Sequence, residues 1–128
     1  SYLNSEKMND AMKKCVESGF HPSTGNKSGM EAVVSHELGH ALTDMVGAKM
    51  GNGQFFDIDK TSTAIVNEAK KLTKHRGVVQ MASKISKYAT YSNAETIAEA
   101  ISDCYCNGKK AKSESKAIKS VVDKYLKN

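Results

Sequence analysis

The sequence predicts a mainly α-helical fold, α+β at most. Most of the chain divides into segments whose apolar residues recur at helical spacing, and short stretches of glycine and polar residues separate these segments. Only the segment at residues 54–58 suits a strand, and it could equally be a packed turn, so there is room for no more than a small sheet. The length of 128 residues allows one modest core, and we expect a single domain over residues 1–128.

The first two predicted helices flank a loop. Apolar spacing predicts a helix at residues 4–18, and Gly19 is a suitable stop. Residues 20–29 contain the only proline and are typical of a loop. His21 in this loop is either a group that faces a substrate or, more commonly, an ordinary surface histidine. A second helix is expected at residues 30–48, with its Ala, Val, Leu and Met side chains supplying buried surface.

The rest of the chain is expected to form helices joined by short connections, one of them at residues 89–92. Asp59 is a good N-cap for the first of these helices, and Gly77 is its natural end. The last helix is amphipathic and directs Ala, Ile, Val and Tyr side chains inward. The predicted helices cover residues 61–75, 78–88, 93–106 and 113–126.

The pentapeptide HELGH at residues 36–40 follows the H-E-x-x-H pattern of zinc hydrolases. On a helix, His36 and His40 lie one turn apart on one face, so both imidazoles can reach one metal ion. Glu37 projects beside them, where it can take a proton from a metal-bound water. Gly39 permits the close approach of a neighbouring backbone. The alternative interpretation is a helix with two surface histidines paired to carboxylates.

A catalytic zinc ion takes three protein ligands, so a third one is needed. Glu95 and Glu99 lie one turn apart beside an apolar packing face, where acidic residues are unusual unless they meet a metal or a cation. Either glutamate can be the ligand. Glu95 also fits a capping box with Ser92, and if it acts as the cap, Glu99 would be the ligand. The remaining glutamate could accept a hydrogen bond from a ligand histidine. Asp44 could do the same, or it could be an ordinary exposed acid.

Two stretches of the chain resemble the metallopeptidase domain of anthrax lethal factor and its relatives. They are SHELGHAL at residues 35–42 and KYATYSNAETIAEA at residues 87–100. Similar domains occur at the end of phage minor head (head morphogenesis) proteins, and the layout of this chain looks closest to those. The resemblance covers about residues 33–100, roughly half of the chain. It implies a zincin-like metallopeptidase fold with an active-site helix, a second ligand-bearing helix and a small or vestigial β-sheet.

The resemblance also implies roles for particular residues. It implies one zinc ion (Zn2+) bound by His36, His40 and Glu95. It makes Glu37 the general base. Tyr88, seven residues before the ligand glutamate, would assist at the oxyanion.

Further residues are implied as supporting groups. Glu99 matches the second glutamate of the family's helix, which has a supporting role, and Asp44 matches an acidic position after the histidine motif. Tyr91 is the nearby alternative to Tyr88, and a buried core tyrosine is the ordinary alternative for either.

The activity implied is that of a zinc-dependent endopeptidase of the gluzincin type, acting on a peptide or protein substrate. The chain departs from the toxin in two respects. The interval from His40 to Glu95 is longer than expected, and the toxin's substrate-recognition domains have no counterpart in 128 residues. The toxin's target specificity therefore does not carry over. The alternative is a non-catalytic zinc-binding or docking module of a phage head or toxin protein.

The charge bears on whether the protein binds nucleic acid, and the cysteine content bears on whether its thiols are reduced. The formal net charge is +5, and much of the excess comes from lysines in residues 109–127, which are spread around a helix without interleaved aromatics. This pattern favours a solvated helical face over a nucleic-acid partner, and a basic nucleic-acid-binding domain is the weaker third hypothesis. The three cysteines form no C-x-x-C pair, which favours reduced thiols and an intracellular setting.

The expected location follows from the lack of membrane and export signals. No segment is long and apolar enough to span a membrane, and no signal peptide is visible, so no membrane partner is expected. The chain begins with Ser1 rather than Met, and we expect a domain excised from a longer phage structural or toxin chain. We expect it in the bacterial cytoplasm or in a virion, with secretion as part of a toxin left open.

Overall fold

The protein is helical, as a computed structural model shows for the backbone of residues 5–51 and 57–127 and for their side chains apart from those of residues 5–9 and Cys15. No strand occurs within these ranges, which confirms the mainly α prediction. The possible strand at residues 54–58 falls largely outside the described residues. The helices are α1 (Ser5–Glu17), α2 (Gly29–Met50), α3 (Ile58–Thr73), α4 (Val78–Ile85), α5 (Asn93–Asn107) and α6 (Ser113–Lys127), with short 3-10 turns at Tyr88–Tyr91 and Gly108–Lys110.

The ends of α1 and α2 follow from local capping. Gly19 has a φ of 77°, a left-handed conformation that suits glycine and terminates α1 as predicted. Ser28 caps α2: its hydroxyl accepts the backbone N–H of Glu31, and the Glu31 carboxylate accepts the N–H of Ser28. This capping box satisfies two backbone donors that a helix start otherwise leaves unpaired.

Two predicted caps were wrong. The N-cap of α3 is Asp57 rather than Asp59, because the Asp57 carboxylate accepts the backbone N–H groups of Asp59 and Lys60. The helix ends at Thr73 with Lys74 as its C-cap, at a φ of 61°, and not at Gly77. Gly77 instead precedes the first turn of α4 as its N-cap.

The helix predicted at residues 78–88 is shorter, because α4 stops at Ile85. Ser86 is extended, and the next backbone N–H groups pair outside the helix. Lys87 N donates to Gly19 O at 3.1 Å, and Tyr88 N donates to Phe20 O at 3.0 Å. These two bonds hold the start of the loop after α1 against the Tyr88–Tyr91 turn. Residues 89–92 were expected to form an irregular connection, and most of them lie in this turn.

Helix α5 is the centre of the molecule and packs against α2, α3 and α6. All residues from 96 to 103 are buried. The inward side of α6 is confirmed: Ile118, Val121 and Val122 are buried, and Tyr125 is partly buried. The core contains Val46, Ile65, Val66, Ala69, Met81, Ala82, Ile85, Ala89, Ile97, Ala100, Ile101, Ile118, Val121 and Val122.

The face of α2 that meets α5 differs from the one expected. Small and hydroxylated residues form it, and several large apolar residues on the opposite side are exposed, Val34 by 61% and Met45 by 54%. At Gly39 a Cβ atom would lie 2.6 Å from Ala98 Cα, so the prediction of a close backbone approach is confirmed. Large side chains on this face would separate the two helices. The buried residues of α2 are Gly29, Ala32, Ser35, Gly39, Thr43, Val46 and Gly47.

None of the helices in the described ranges has both the length and the apolar character needed to cross a lipid bilayer.

Candidate metal centre

The two histidines of the HELGH motif lie side by side on α2, on the edge that faces the first turns of α5. The ring centroids of His36 and His40 are 5.1 Å apart. Their side chains remain partly accessible, His36 by 15% and His40 by 32%. Because four residues make about one helical turn, both rings reach the same region of space.

Glu95 from α5 completes the cluster. Its Oε1 atom lies 2.9 Å from His36 Nε2 and 3.2 Å from His40 Nε2. Candidate ligand atoms of the three residues all lie within 4.8 Å of one another, and this is the only such group among the residues whose side chains are described. The structure therefore brings together the three residues that the resemblance implied as ligands.

The competing role of Glu95 as a helix cap is realised only in part. Ser92 Oγ accepts the backbone N–H of Glu95 at 3.1 Å, which is one half of a capping box. The described contacts of the Glu95 carboxylate are with the two histidines and the Tyr88 phenol, and none reaches the Ser92 backbone. Glu95 can take part in both, because the cap uses its backbone N–H and the cluster uses its carboxylate.

Glu99, one turn further along α5, lies on the buried side of the cluster and hydrogen-bonds to His36. It is 1% exposed. Oε2 accepts a hydrogen bond from His36 Nδ1 at 2.8 Å, and Oε1 accepts one from His21 Nδ1 at 2.7 Å and one from the Ser86 hydroxyl at 2.9 Å. Burial raises the pKa of the Glu99 carboxyl, but these hydrogen bonds outweigh burial, so the pKa lies below its usual range.

His36 thus has a carboxylate at each ring nitrogen. Burial lowers its pKa, but hydrogen bonds and charge from Glu99, and then from Glu95, outweigh this and raise the pKa above the ordinary value. Each ring nitrogen that faces a carboxylate oxygen needs a proton or a cation between the two atoms. The Glu99 contact keeps the proton on Nδ1, so Nε2 is the nitrogen free to bind a metal ion.

The donor set fits zinc. Two imidazole nitrogens and one carboxylate oxygen are a ligand combination of catalytic zinc sites. Ligand atoms about 2.0–2.2 Å from a tetrahedral zinc ion lie roughly 3.3–3.5 Å apart. The observed separations of 2.9 and 3.2 Å between Glu95 Oε1 and the two histidines are within a few tenths of an ångström of that range. All three ligand atoms lie within 4.8 Å of one another, so the residues could hold the ion after their side chains adjust.

Tyr88 lies at the edge of the cluster, and Tyr91 is further out. The Tyr88 ring centroid is 5.9 Å from that of His36. Burial, followed by the nearby Glu95 carboxylate, raises the pKa of Tyr88, so its phenol keeps its proton at neutral pH. Tyr91 is 65% exposed and contacts the Tyr88 ring at 4.9 Å. Of the two tyrosines considered, Tyr88 is the nearer.

Glu37 and Asp44 are both exposed on α2. Glu37 is the neighbour of His36 in the sequence, and its carboxylate is accessible to solvent. Asp44 has no described contact with His36 or His40. Its supporting role stays a prediction.

Sequence reasoning missed His21 and Ser86 as partners of Glu99. The sequence favoured an ordinary surface role for His21. In the structure His21 contacts Glu99 directly, although the two are 78 residues apart in the sequence. One signal could have raised the question: a glutamate beside an apolar packing face needs several donors if it is buried as an anion. The sequence contained no indication of which donors these are.

Comparisons with protein-family models, curated proteins and solved structures found no match to this chain.

Proposed function

We propose that this chain is a zinc-dependent endopeptidase of the gluzincin type, in which His36, His40 and Glu95 bind one zinc ion. One observation carries the proposal: a carboxylate from α5 meets both histidines of the HELGH motif, at 2.9 and 3.2 Å. The alternative, two surface histidines paired to carboxylates, does not require a single carboxylate oxygen to converge on both rings. The resemblance to lethal factor and to phage minor head proteins supports the same reading.

Each residue has a task suited to its position. When bound, zinc would acidify a water molecule and polarise the scissile carbonyl. Glu37, exposed beside His36, accepts the proton of the attacking water and delivers it to the leaving amine. The Tyr88 phenol, held protonated, donates a hydrogen bond to the oxyanion. Glu99 keeps His36 in the tautomer that presents Nε2.

The substrate is a peptide or protein segment that reaches the cluster from solvent. The open side of the site is the one on which His40 and Glu95 are accessible, by 32% and 22% of their side chains. As part of a longer phage structural or toxin chain, the domain would act in the bacterial cytoplasm or in a virion.

The test pairs zinc analysis with cleavage of an unbiased peptide library by the parent protein and by Glu37→Gln. The variant should keep its zinc and lose hydrolysis by about 10²–10⁴-fold, because only the proton acceptor is removed. Glu17→Gln is the matched control, since Glu17 is an exposed glutamate on α1 and is not part of the cluster. A Glu37→Gln protein that cleaves as fast as the parent would overturn the mechanism.

The same assay separates the rival functions. A parent protein that binds zinc but cuts no peptide would favour the non-catalytic zinc-binding or docking module. Salt-sensitive DNA binding that survives removal of His36 and His40 would favour the basic nucleic-acid-binding domain. Absence of zinc from the parent would reject the metal centre itself.

A further inference from the structure

The loop after α1 reaches the buried side of the candidate metal centre through His21. Its Nδ1 atom donates to Glu99 Oε1 at 2.7 Å, while the other oxygen of the same carboxylate accepts from His36 Nδ1 at 2.8 Å. One carboxylate therefore links a loop histidine to a candidate zinc ligand. Neither the HELGH motif nor the resemblance assigns a role to His21.

The orientation of Glu99 depends on donors at both of its oxygens. A buried carboxylate that loses a donor must rotate, recruit water or take up a proton, since an unpaired buried charge is costly. Ser86 offers one neutral hydroxyl to Oε1 at 2.9 Å. His21 supplies the only ring N–H at that oxygen among the described residues. Without it, Oε1 keeps only the Ser86 hydroxyl, so the planar carboxylate is held less firmly and Oε2 can turn away from His36.

His21 itself is held in place by the segment that carries Tyr88. The backbone bonds from Lys87 to Gly19 and from Tyr88 to Phe20 fix the residues just before His21. The His21 ring centroid lies 5.2 Å from that of Tyr88 and 4.9 Å from that of Phe20. A side chain fixed through its backbone and its ring can in turn fix a carboxylate.

We propose that His21 is a positioning residue, which holds Glu99 in the orientation that aims His36 Nε2 at the metal. His21 is not one of the three candidate ligands, and its hydrogen bond reaches His36 only through Glu99. The proposal rests on the proposed function in one respect: it takes His36 to be a zinc ligand.

Two variants of similar size separate hydrogen bonding from space filling. His21→Asn keeps an N–H donor at the same number of bonds from the backbone as Nδ1, and His21→Leu fills similar space without a donor. His75→Ala is the matched control, because His75 also bonds to a glutamate, Glu114, at 2.8 Å, but outside the cluster. If the leucine variant fails to fold, His21→Gln, which moves the donor by one bond, replaces it.

The first measurement uses the metal-free protein and nuclear magnetic resonance of the histidine rings. The Nδ1–H signal of His36 should be strongly downfield in the parent and in His21→Asn, and should broaden or move upfield in His21→Leu. This readout is independent of zinc and of hydrolysis. An unchanged His36 signal in a folded His21→Leu protein overturns the proposal, and so does an asparagine variant that behaves like the leucine variant.

The second measurement is zinc affinity by competition with a chelator. We expect His21→Leu to bind about tenfold more weakly, the lower end of the range for residues behind metal ligands, and His21→Asn and His75→Ala to stay near the parent. Equal zinc affinity of parent and leucine variant counts against His21. A parent that binds no zinc instead rejects the proposed function, and the ring signals then still decide whether His21 positions Glu99 against His36.

Discussion

Glu95 takes part in two local structures, and only one of them needs its charge. Its backbone N–H bonds to Ser92, and its carboxylate bonds to the two motif histidines. The amide of a glutamine keeps the shape of the side chain and leaves the cap intact. It replaces a charged candidate ligand by a neutral, weakly coordinating group.

Glu95→Gln should therefore keep its helical content and lose zinc affinity. We expect a loss larger than the roughly 10–100-fold seen when only a supporting residue is changed. Chelator competition measures the affinity, and circular dichroism checks the fold. Unchanged affinity in the folded variant would mean that Glu95 is not a ligand.

The two cysteine thiols of α5 have pKa values that their surroundings raise. Burial, with a smaller contribution from Asp103, raises the pKa of Cys104 to about 11, and burial also raises that of Cys106. Both are free thiols. Because the thiolate is the reactive form, such cysteines are inert at neutral pH.

In a Cys15→Ser background, alkylation of Cys104 at pH 8 should be roughly two orders of magnitude slower in the folded protein than in urea, and alkylation of Cys106 should also be slower. Mass spectrometry of iodoacetamide adducts over time gives the two rates. Similar rates in both states would show that the thiols are accessible and ionised.

At the scale of elements, the contact between α2 and α5 depends on position 39. A Cβ atom there would lie 2.6 Å from Ala98 Cα, which is backbone and cannot move aside alone. Gly39→Ala must then separate the two helices, at a cost of about 1–3 kcal/mol. The same displacement would move His40 away from Glu95.

We expect Gly39→Ala to lower both the free energy of unfolding in urea and the affinity for zinc. Gly77→Ala is the control, since an added Cβ there has nothing within 4 Å. Normal zinc binding by a destabilised Gly39→Ala protein would show that the helix contact and the cluster are independent.

A second element contact joins the segment after α3 to α6. Glu114, in the first turn of α6, accepts from His75 Nε2 at 2.8 Å. Burial raises the pKa of Glu114, but hydrogen bonds from His75, its own backbone N–H and Ser113 outweigh this and lower it. A carboxyl with a lowered pKa in the folded state stabilises the fold above its unfolded pKa, and this contribution disappears as the pH falls through the folded pKa.

Glu114→Gln should therefore cost about 0.5–1.5 kcal/mol of unfolding free energy at pH 7, and less near pH 3. Urea titrations of parent and variant at the two pH values give the difference. A penalty that is equal at both pH values would show that the ionised form of Glu114 is not what stabilises the contact.

Sequence reasoning was most successful for features set by nearby residues. The four-residue spacing of His36 and His40 predicts a shared helical face, and Gly19 ends α1 as its conformational freedom suggests. Asp57 was missed as a cap because two aspartates stand close together and either can begin a helix. The exposed side of α2 was misassigned because apolar residues recur on both of its faces.

Long-range contacts lay beyond what spacing can decide. Glu95 and Glu99 are equivalent in sequence pattern, and only the packing of α5 against α2 directs one to both Nε2 atoms and the other to Nδ1. His21 reaches Glu99 across 78 residues, through a loop whose path depends on two backbone bonds to the Tyr88 segment.

On the scale of the whole molecule, a zinc ion at the cluster would bind the folded state and not the unfolded chain. Ligand binding of this kind adds about 2.7 kcal/mol of stability at a free concentration of 100 times Kd. The melting temperature of the parent should then rise by several degrees with zinc, since about 1 kcal/mol shifts a domain of this size by roughly 2–8 °C.

Calorimetry with zinc and with a chelator tests this, and Glu95→Gln serves as the control that should show little shift. An equal rise in both proteins would place the stabilising ion elsewhere in the molecule.

The sequence separation between the histidines of α2 and Glu95 of α5 also determines when the cluster can form during translation. The histidines of α2 precede Glu95 by 59 and 55 residues, so a ribosome has finished the HELGH helix long before it reaches α5. At about 5–20 residues per second, the nascent chain spends several seconds with two ligands and no third. Under the proposed function, a growing chain cannot cut itself or its neighbours, because hydrolysis becomes possible only after α5 has emerged and docked.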